Sequence, residues 1–193
     1  MTRFALTLVV LTMGTPALLA QSDCDGERYR YTSTYDNVSV SVDHVYGQNI
    51  NALGIDTELV FDFYEAVDNG ETDRPLIIIT HGGFFLAGAN NGADVVPMCE
   101  DFARMGYAVA SISYRLGIAN LFDLENELIR AVWRGVHDGR AAVRYFRKSV
   151  EEEGNPWGID PNRIYMGGVS AGGFLAVHHA YVDDESEIPA IID

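Results

Sequence analysis

Basic residues are scarce in this sequence: 13 Lys and Arg stand against 28 Asp and Glu, for a formal charge of −15 over 193 residues. Such a surface repels nucleic acid and anionic membranes, which disfavours any partner recognised through its phosphates. Cysteine is scarce too, with only Cys24 and Cys99. No group of His and Cys has metal-site spacing, and the glycines follow neither the G-x-G-x-x-G nor the P-loop pattern. Neither a metal nor an organic cofactor is therefore expected. Past the N-terminus no apolar run is long enough to cross a bilayer, so stable membrane insertion is not expected. Internal repeats and low-complexity tracts are missing. Together with 48% hydrophobic and 11% aromatic residues, this excludes a disordered tail, a collagen-like repeat and a coiled coil. The length suits one domain with a sizeable core.

Residues 1–20 have the anatomy of a signal peptide. Arg3 gives a positive start, residues 5–13 are apolar except for Thr7 and Thr12, and Gly14 and Pro16 break the run. Ala20 offers a small residue for cleavage before Gln21. The expected location is secreted or periplasmic; an uncleaved membrane anchor is the alternative. In an exported chain an even cysteine count suggests a bridge between Cys24 and Cys99. Its long loop would give about 4 kcal/mol at most by chain entropy. The alternative is one buried thiol and one exposed one.

From residue 38 to 45 valines alternate with polar residues, so Val38, Val40 and Val42 share a face and predict a half-buried strand. Residues 46–54 read as a loop. Residues 59–64 alternate again, with Leu59, Phe61 and Phe63 on one side, and the two segments read as an antiparallel pair. The pattern then changes. Residues 76–79 are continuously apolar, as in a strand buried on both faces. Residues 95–105 have helical spacing and stop at Gly106, and residues 107–113 read as a second buried strand. A long helix is predicted over 124–148, with Leu124, Leu128, Ala131, Val132, Gly135, Ala142, Val143 and Phe146 as its buried stripe. A short strand is predicted over 163–167 and a helix over 171–181. Strands alternating with helices make a mostly parallel sheet covered on both faces, with ligand sites at the carboxyl ends of its strands.

Both glycine-rich sequences fall at those ends. Gly168-Val169-Ser170-Ala171-Gly172 is a G-x-S-x-G between a strand and a helix, the context of a nucleophile elbow. The turn lifts the Ser170 hydroxyl above the sheet, small flanking residues let the helix pass close, and the helix N-terminus favours negative charge beside it. A glycine-rich turn with a capping serine would have the same letters. His81-Gly82-Gly83-Phe84 comes directly after the first buried strand, where esterases and lipases place a second oxyanion donor. His81 reads as a residue that shapes this loop rather than as a catalytic base.

Through these residues the chain resembles an α/β-hydrolase of the carboxylesterase/lipase group. The resemblance is carried by His81-Gly82-Gly83-Phe84-Phe85, Tyr114-Arg115-Leu116-Gly117, Asp138 with Ala141-Ala142, and residues 168–173, in the family's order from about Val38 onward. It implies an α/β-hydrolase fold, here its N-terminal portion: two antiparallel strands, then a parallel βαβαβα series. It implies Ser170 as the acyl-accepting nucleophile and the backbone N–H groups of Gly83, Phe84 and Ala171 as the oxyanion hole. His81 and Gly82 would support that loop, with Arg115 and Asp138 as framework. The substrate implied is a small-molecule or lipid-like ester. One departure is Phe84, where many relatives carry a third glycine; the donor survives, but the loop is expected to be stiffer and the acyl pocket smaller.

The family's order is Ser, then acid, then His. Past Ser170 the histidines are His178 and His179, on the same predicted helix and about 12 Å from the elbow at 1.5 Å per residue. Asp183 and Asp184 are no better placed. The expectation is therefore an incomplete domain over 21–193, with the triad acid and histidine beyond residue 193 and this portion alone inactive. A non-catalytic hydrolase-like binding module, or a serine peptidase of the same fold, are the alternatives.

Overall fold

The computed structural model describes Tyr29 and residues 34–182. The expected signal peptide, Cys24, Asp183 and Asp184 lie outside the described residues. Five strands form one sheet in the order β1-β2-β4-β3-β5. They are β1 (Val38–Ile50), β2 (Asp56–Ala66), β3 (Arg74–Thr80), β4 (Ala108–Ile112) and β5 (Ile159–Gly168). Helix α1 (Val96–Arg104) links β3 to β4, α2 (Leu124–Glu152) links β4 to β5, and α3 (Ala171–Tyr181) comes after β5. The first two strands pair antiparallel, and β2 joins β4 antiparallel. Strand β3 pairs parallel with both β4 and β5. This is the mixed sheet with alternating helices that the residue pattern predicts.

The alternation of β3 explains why the helices divide between faces. Leu76 and Ile78 point to the side of α2, where Phe61, Phe63, Ala142, Phe146 and Ile159 complete the core. Ile77 and Ile79 point to the side of α1, against Val95, Cys99, Ala103 and Val109. Both faces are dry, which is why residues 76–79 show no polar alternation. The Leu175 side of α3 packs with Ala131, Trp133 and Val136 of α2 under the carboxyl end of the sheet.

Some expectations change. Strand β1 runs on to Ile50 through residues read as a loop. Its register shifts between Ser41 and His44 and again between Val45 and Gly47, and Asp43 sits at φ 60°. These irregularities break the period of two. Val40 and Val42 stand on this edge strand at 43% and 58% exposure rather than on a half-buried face. Strand β5 begins at Ile159, before the predicted start, because it pairs with Arg74 there. Arg74 is buried and donates to the Gly158 and Trp157 carbonyls. Among the described residues β5 pairs only with β3, so its other edge is open. The stripe of α2 holds except at Leu124, which is exposed.

Among the described residues Cys99 has no disulfide partner; it is fully buried in the α1 core, and burial pushes its thiol pKa up to about 12. Its expected partner Cys24 lies outside the described residues. Among the described residues no helix is long and apolar enough to cross a membrane.

Candidate active site

The carboxyl ends of β3 and β5 lie side by side, with Thr80 opposite Gly168. The segments leaving these two strand ends therefore meet. After β5 the chain turns at Ser170, which has φ 51° and ψ −113°. That is forbidden ground for most L-residues and costs on the order of 1–3 kcal/mol unless the surroundings enforce it. Here they do. Thr80 Oγ1 lies 3.0 Å from the carbonyl oxygens of both Gly167 and Gly172. Val169 N–H donates to the Thr80 carbonyl at 3.0 Å, and Gly172 N–H to the Val169 carbonyl at 2.8 Å. A Cβ on Gly172 would stand 2.1 Å from the Thr80 carbonyl oxygen, and one on Gly168 2.3 Å from Thr80 Oγ1. Both glycines of G-x-S-x-G are thus required for α3 to start against β3. The serine they flank is exposed, and among the described residues its hydroxyl makes no hydrogen bond.

After β3 the chain enters the His81-Gly82-Gly83 loop. Three successive residues are left-handed: Gly83 at φ 110°, Phe84 at 55° and Phe85 at 61°. Phe84 is the exposed one and Phe85 the buried one, packed with Tyr114, Ala171 and Leu175. Phe84 stands in a backbone conformation that glycine would adopt freely. Among the described residues no group accepts from the N–H of Gly83, Phe84 or Ala171. Ala171 is the first residue of α3, so its N–H points out of the helix's positive end. The loop and the elbow touch: a Cβ on Gly82 would lie 3.4 Å from Ser170 Cβ.

His81 is 1% exposed. Its Nδ1–H donates to the Gly82 carbonyl at 2.7 Å, and the ring stacks on Tyr114 at 4.4 Å. Tyr114 in turn donates to the His81 carbonyl at 2.9 Å. Burial lowers the His81 pKa, favouring the neutral ring. Arg115 reaches Asp138 with its backbone N–H at 2.8 Å and with its guanidinium at 2.8 to 3.0 Å. Burial pushes the Asp138 carboxyl up while Arg115 pulls it back. The same guanidinium donates to the Ile50 and Arg134 carbonyls, so one buried pair ties the loop after β4 to β1 and α2.

No described histidine has a hydrogen bond to Ser170, and the others have partners elsewhere. His178 bonds the Phe174 carbonyl of its own helix. His179 is half-buried beside Arg140 and Arg147, and burial lowers its pKa. His44 packs with Phe61 and Trp157, and His137 with Trp133. Among the described residues no group of His, Cys, Asp and Glu could hold a metal.

Two residues of the site had no signal in the sequence. Thr80 ends a strand of ordinary apolar letters. Asp94, whose carboxylate accepts from Gly82 N–H at 2.8 Å, lies between a turn and a helix with no motif around it.

The family model BD-FAE matches residues 61–192. The chain is 32% identical over 110 residues to acylcarnitine hydrolase of Rattus norvegicus, covering 56% of this chain and 18% of that protein. It is 30% identical over 98 residues to gut esterase 1 of Caenorhabditis elegans, covering 51% of this chain and 16% of that one. Among solved structures it is similar to a bacterial heroin esterase, with TM-score 0.53 and 31% identity, covering 75% of this chain and 39% of the other. It is also similar to the Est2 esterase of Thermogutta terrifontis, with TM-score 0.54 and 26% identity, covering 77% and 49%. The chain thus spans less than a fifth of these two curated relatives and less than half of either structure. Over residues 61–192 the match takes in the His81 loop, the buried Arg115–Asp138 pair and the Ser170 elbow: the chain belongs to the BD-FAE family and is an α/β-hydrolase of the carboxylesterase group.

Proposed function

We propose that the protein hydrolyses carboxylic esters through an acyl-enzyme on Ser170. The observation that carries this reading is an exposed, backbone-strained serine beside the Gly82 end of the His81 loop, in a site where the N–H groups of Gly83, Phe84 and Ala171 have no acceptor among the described residues. Ser170 Oγ adds to the ester carbonyl and passes its proton to a general base. The carbonyl oxygen, now negative, takes hydrogen bonds from Gly83, Phe84 and Ala171. Collapse expels the alcohol, which takes the proton back from the base, and water then releases the acid by the same route. With no described histidine hydrogen-bonded to Ser170, we place the base and its orienting acid beyond residue 193. On this reading residues 21–193 are part of a larger catalytic domain and are inactive alone. The substrate class is a small-molecule or lipid-like ester, and the leader at residues 1–20 directs the protein to the periplasm or the exterior. The names of the relatives, a hydrolase and esterases, agree with ester cleavage.

The test is Ser170→Ala in the full-length gene product. Turnover of p-nitrophenyl acetate is expected to fall by about a thousandfold or more, with the circular dichroism spectrum unchanged. A folded variant that keeps its turnover would overturn the assignment.

A further inference from the structure

The loop that offers Gly83 and Phe84 is held by a side chain from another segment. Asp94 sits in the turn just before α1 and accepts from Gly82 N–H with Oδ2 at 2.8 Å. That turn is itself anchored: Ser111 Oγ of β4 donates to the Asn90 carbonyl at 2.6 Å, Gly92 N–H to the Ala89 carbonyl at 3.0 Å, and Val95 N–H to the Gly92 carbonyl at 3.1 Å. Gly92 also makes room for the carboxylate, since a Cβ there would lie 2.5 Å from Asp94 Oδ1. The carboxylate and the elbow flank the same peptide. Asp94 Oδ2 and Ser170 Cβ lie 3.2 and 3.4 Å from one point, the place a Cβ on Gly82 would occupy.

A hydrogen bond to a backbone N–H restricts the rotation of its peptide, whether the acceptor is charged or neutral. This one fixes the peptide plane of Gly82 and so sets the direction in which the left-handed run of Gly83, Phe84 and Phe85 begins. It also occupies the one N–H of the glycine pair that precedes that run, leaving the next two for a substrate oxygen. We propose that Asp94 is a positioning residue for the oxyanion hole, acting as a hydrogen-bond acceptor that pins the Gly82 peptide, a role that rests on Ser170 being the nucleophile. The negative charge of Asp94 is incidental to this task and, among the described residues, no cation bridges it; an oxyanion forming nearby feels it as repulsion. A neutral acceptor at the same place would therefore serve as well or better.

The test compares Asp94→Ala, Asp94→Asn and Ser170→Ala in the full-length protein, with Asp101→Asn on the exposed side of α1 as the control. With p-nitrophenyl acetate, Asp94→Ala is expected to lose about tenfold to a hundredfold in kcat with KM little changed. Asp94→Asn should stay within about threefold of the parent or exceed it, and Asp101→Asn should match it. Inhibition by an aryl trifluoromethyl ketone, which binds as a hemiketal oxyanion, should weaken in step with kcat/KM in Asp94→Ala and recover in Asp94→Asn. Unchanged kcat in a folded Asp94→Ala would overturn the proposal, and so would Asp94→Asn falling as far as Asp94→Ala. Turnover surviving in Ser170→Ala would remove the reading beneath it instead.

Discussion

Asp138→Ala is expected to lower the stability of the full-length protein by about 3–5 kcal/mol. Asp138 is 1% exposed and takes both a backbone N–H and the guanidinium of Arg115, itself 6% exposed. Removing the carboxylate leaves a buried cation with, among the described residues, only the Ile50 and Arg134 carbonyls as hydrogen-bond acceptors. The cost is that of an uncompensated charge, not of a lost attraction. The double variant Arg115→Met, Asp138→Leu should therefore recover most of the loss, because two apolar side chains of similar size need no water taken from them. Denaturant midpoints of the parent, the single variant and the double variant measure this. A single variant as stable as the parent would show that Arg115 finds another partner. Activity should fall with stability in Asp138→Ala, since the pair holds the segment that begins at Tyr114, the residue stacked on His81.

Gly83→Ala should have a different signature: turnover falls by about a hundredfold or more, while the thermal midpoint moves little. Gly83 has φ 110°, and a Cβ there would lie 1.9 Å from the Ala87 carbonyl oxygen and 2.7 Å from its carbon. The Gly83 carbonyl also accepts from Leu86 and Ala87 N–H, at 3.0 and 3.1 Å. The methyl group can be housed only by opening that turn, which redirects the Gly83 and Phe84 N–H groups. The loop residues Gly83 and Phe84 are exposed, so little burial is lost. Gly54→Ala is the matched control. It too has a positive φ, 78°, but a Cβ there meets nothing within 4 Å, in the turn between β1 and β2. Its turnover should match the parent. Equal turnover in Gly83→Ala would mean that these donors do not face the substrate.

The central strands and the site motifs were legible because their physics is local. Residues 76–79 are apolar without interruption because both faces of β3 are covered. The elbow is legible because a strand–turn–helix with a serine at a left-handed φ needs small neighbours, and Gly168 and Gly172 supply them. The far half of β1 was not legible. Two register shifts and the left-handed Asp43 scramble the alternation on which a strand is recognised. The start of β5 was hidden by Asp160, Pro161 and Asn162, polar and turn-forming letters that the partner Arg74 nevertheless draws into the sheet. Thr80 and Asp94 act through atoms far away in sequence, 92 and 12 positions respectively. No local pattern announces a threonine that spaces two glycine carbonyls or an aspartate that pins one peptide.

The proposed nucleophile is tested most directly by treating the full-length protein with a fluorophosphonate and locating the adduct by tandem mass spectrometry. Stoichiometric phosphonylation of Ser170, abolished in Ser170→Ala and slowed in Gly83→Ala, is the expected result. Stoichiometric labelling of a different serine, with Ser170 unmodified and esterase activity lost, would contradict it.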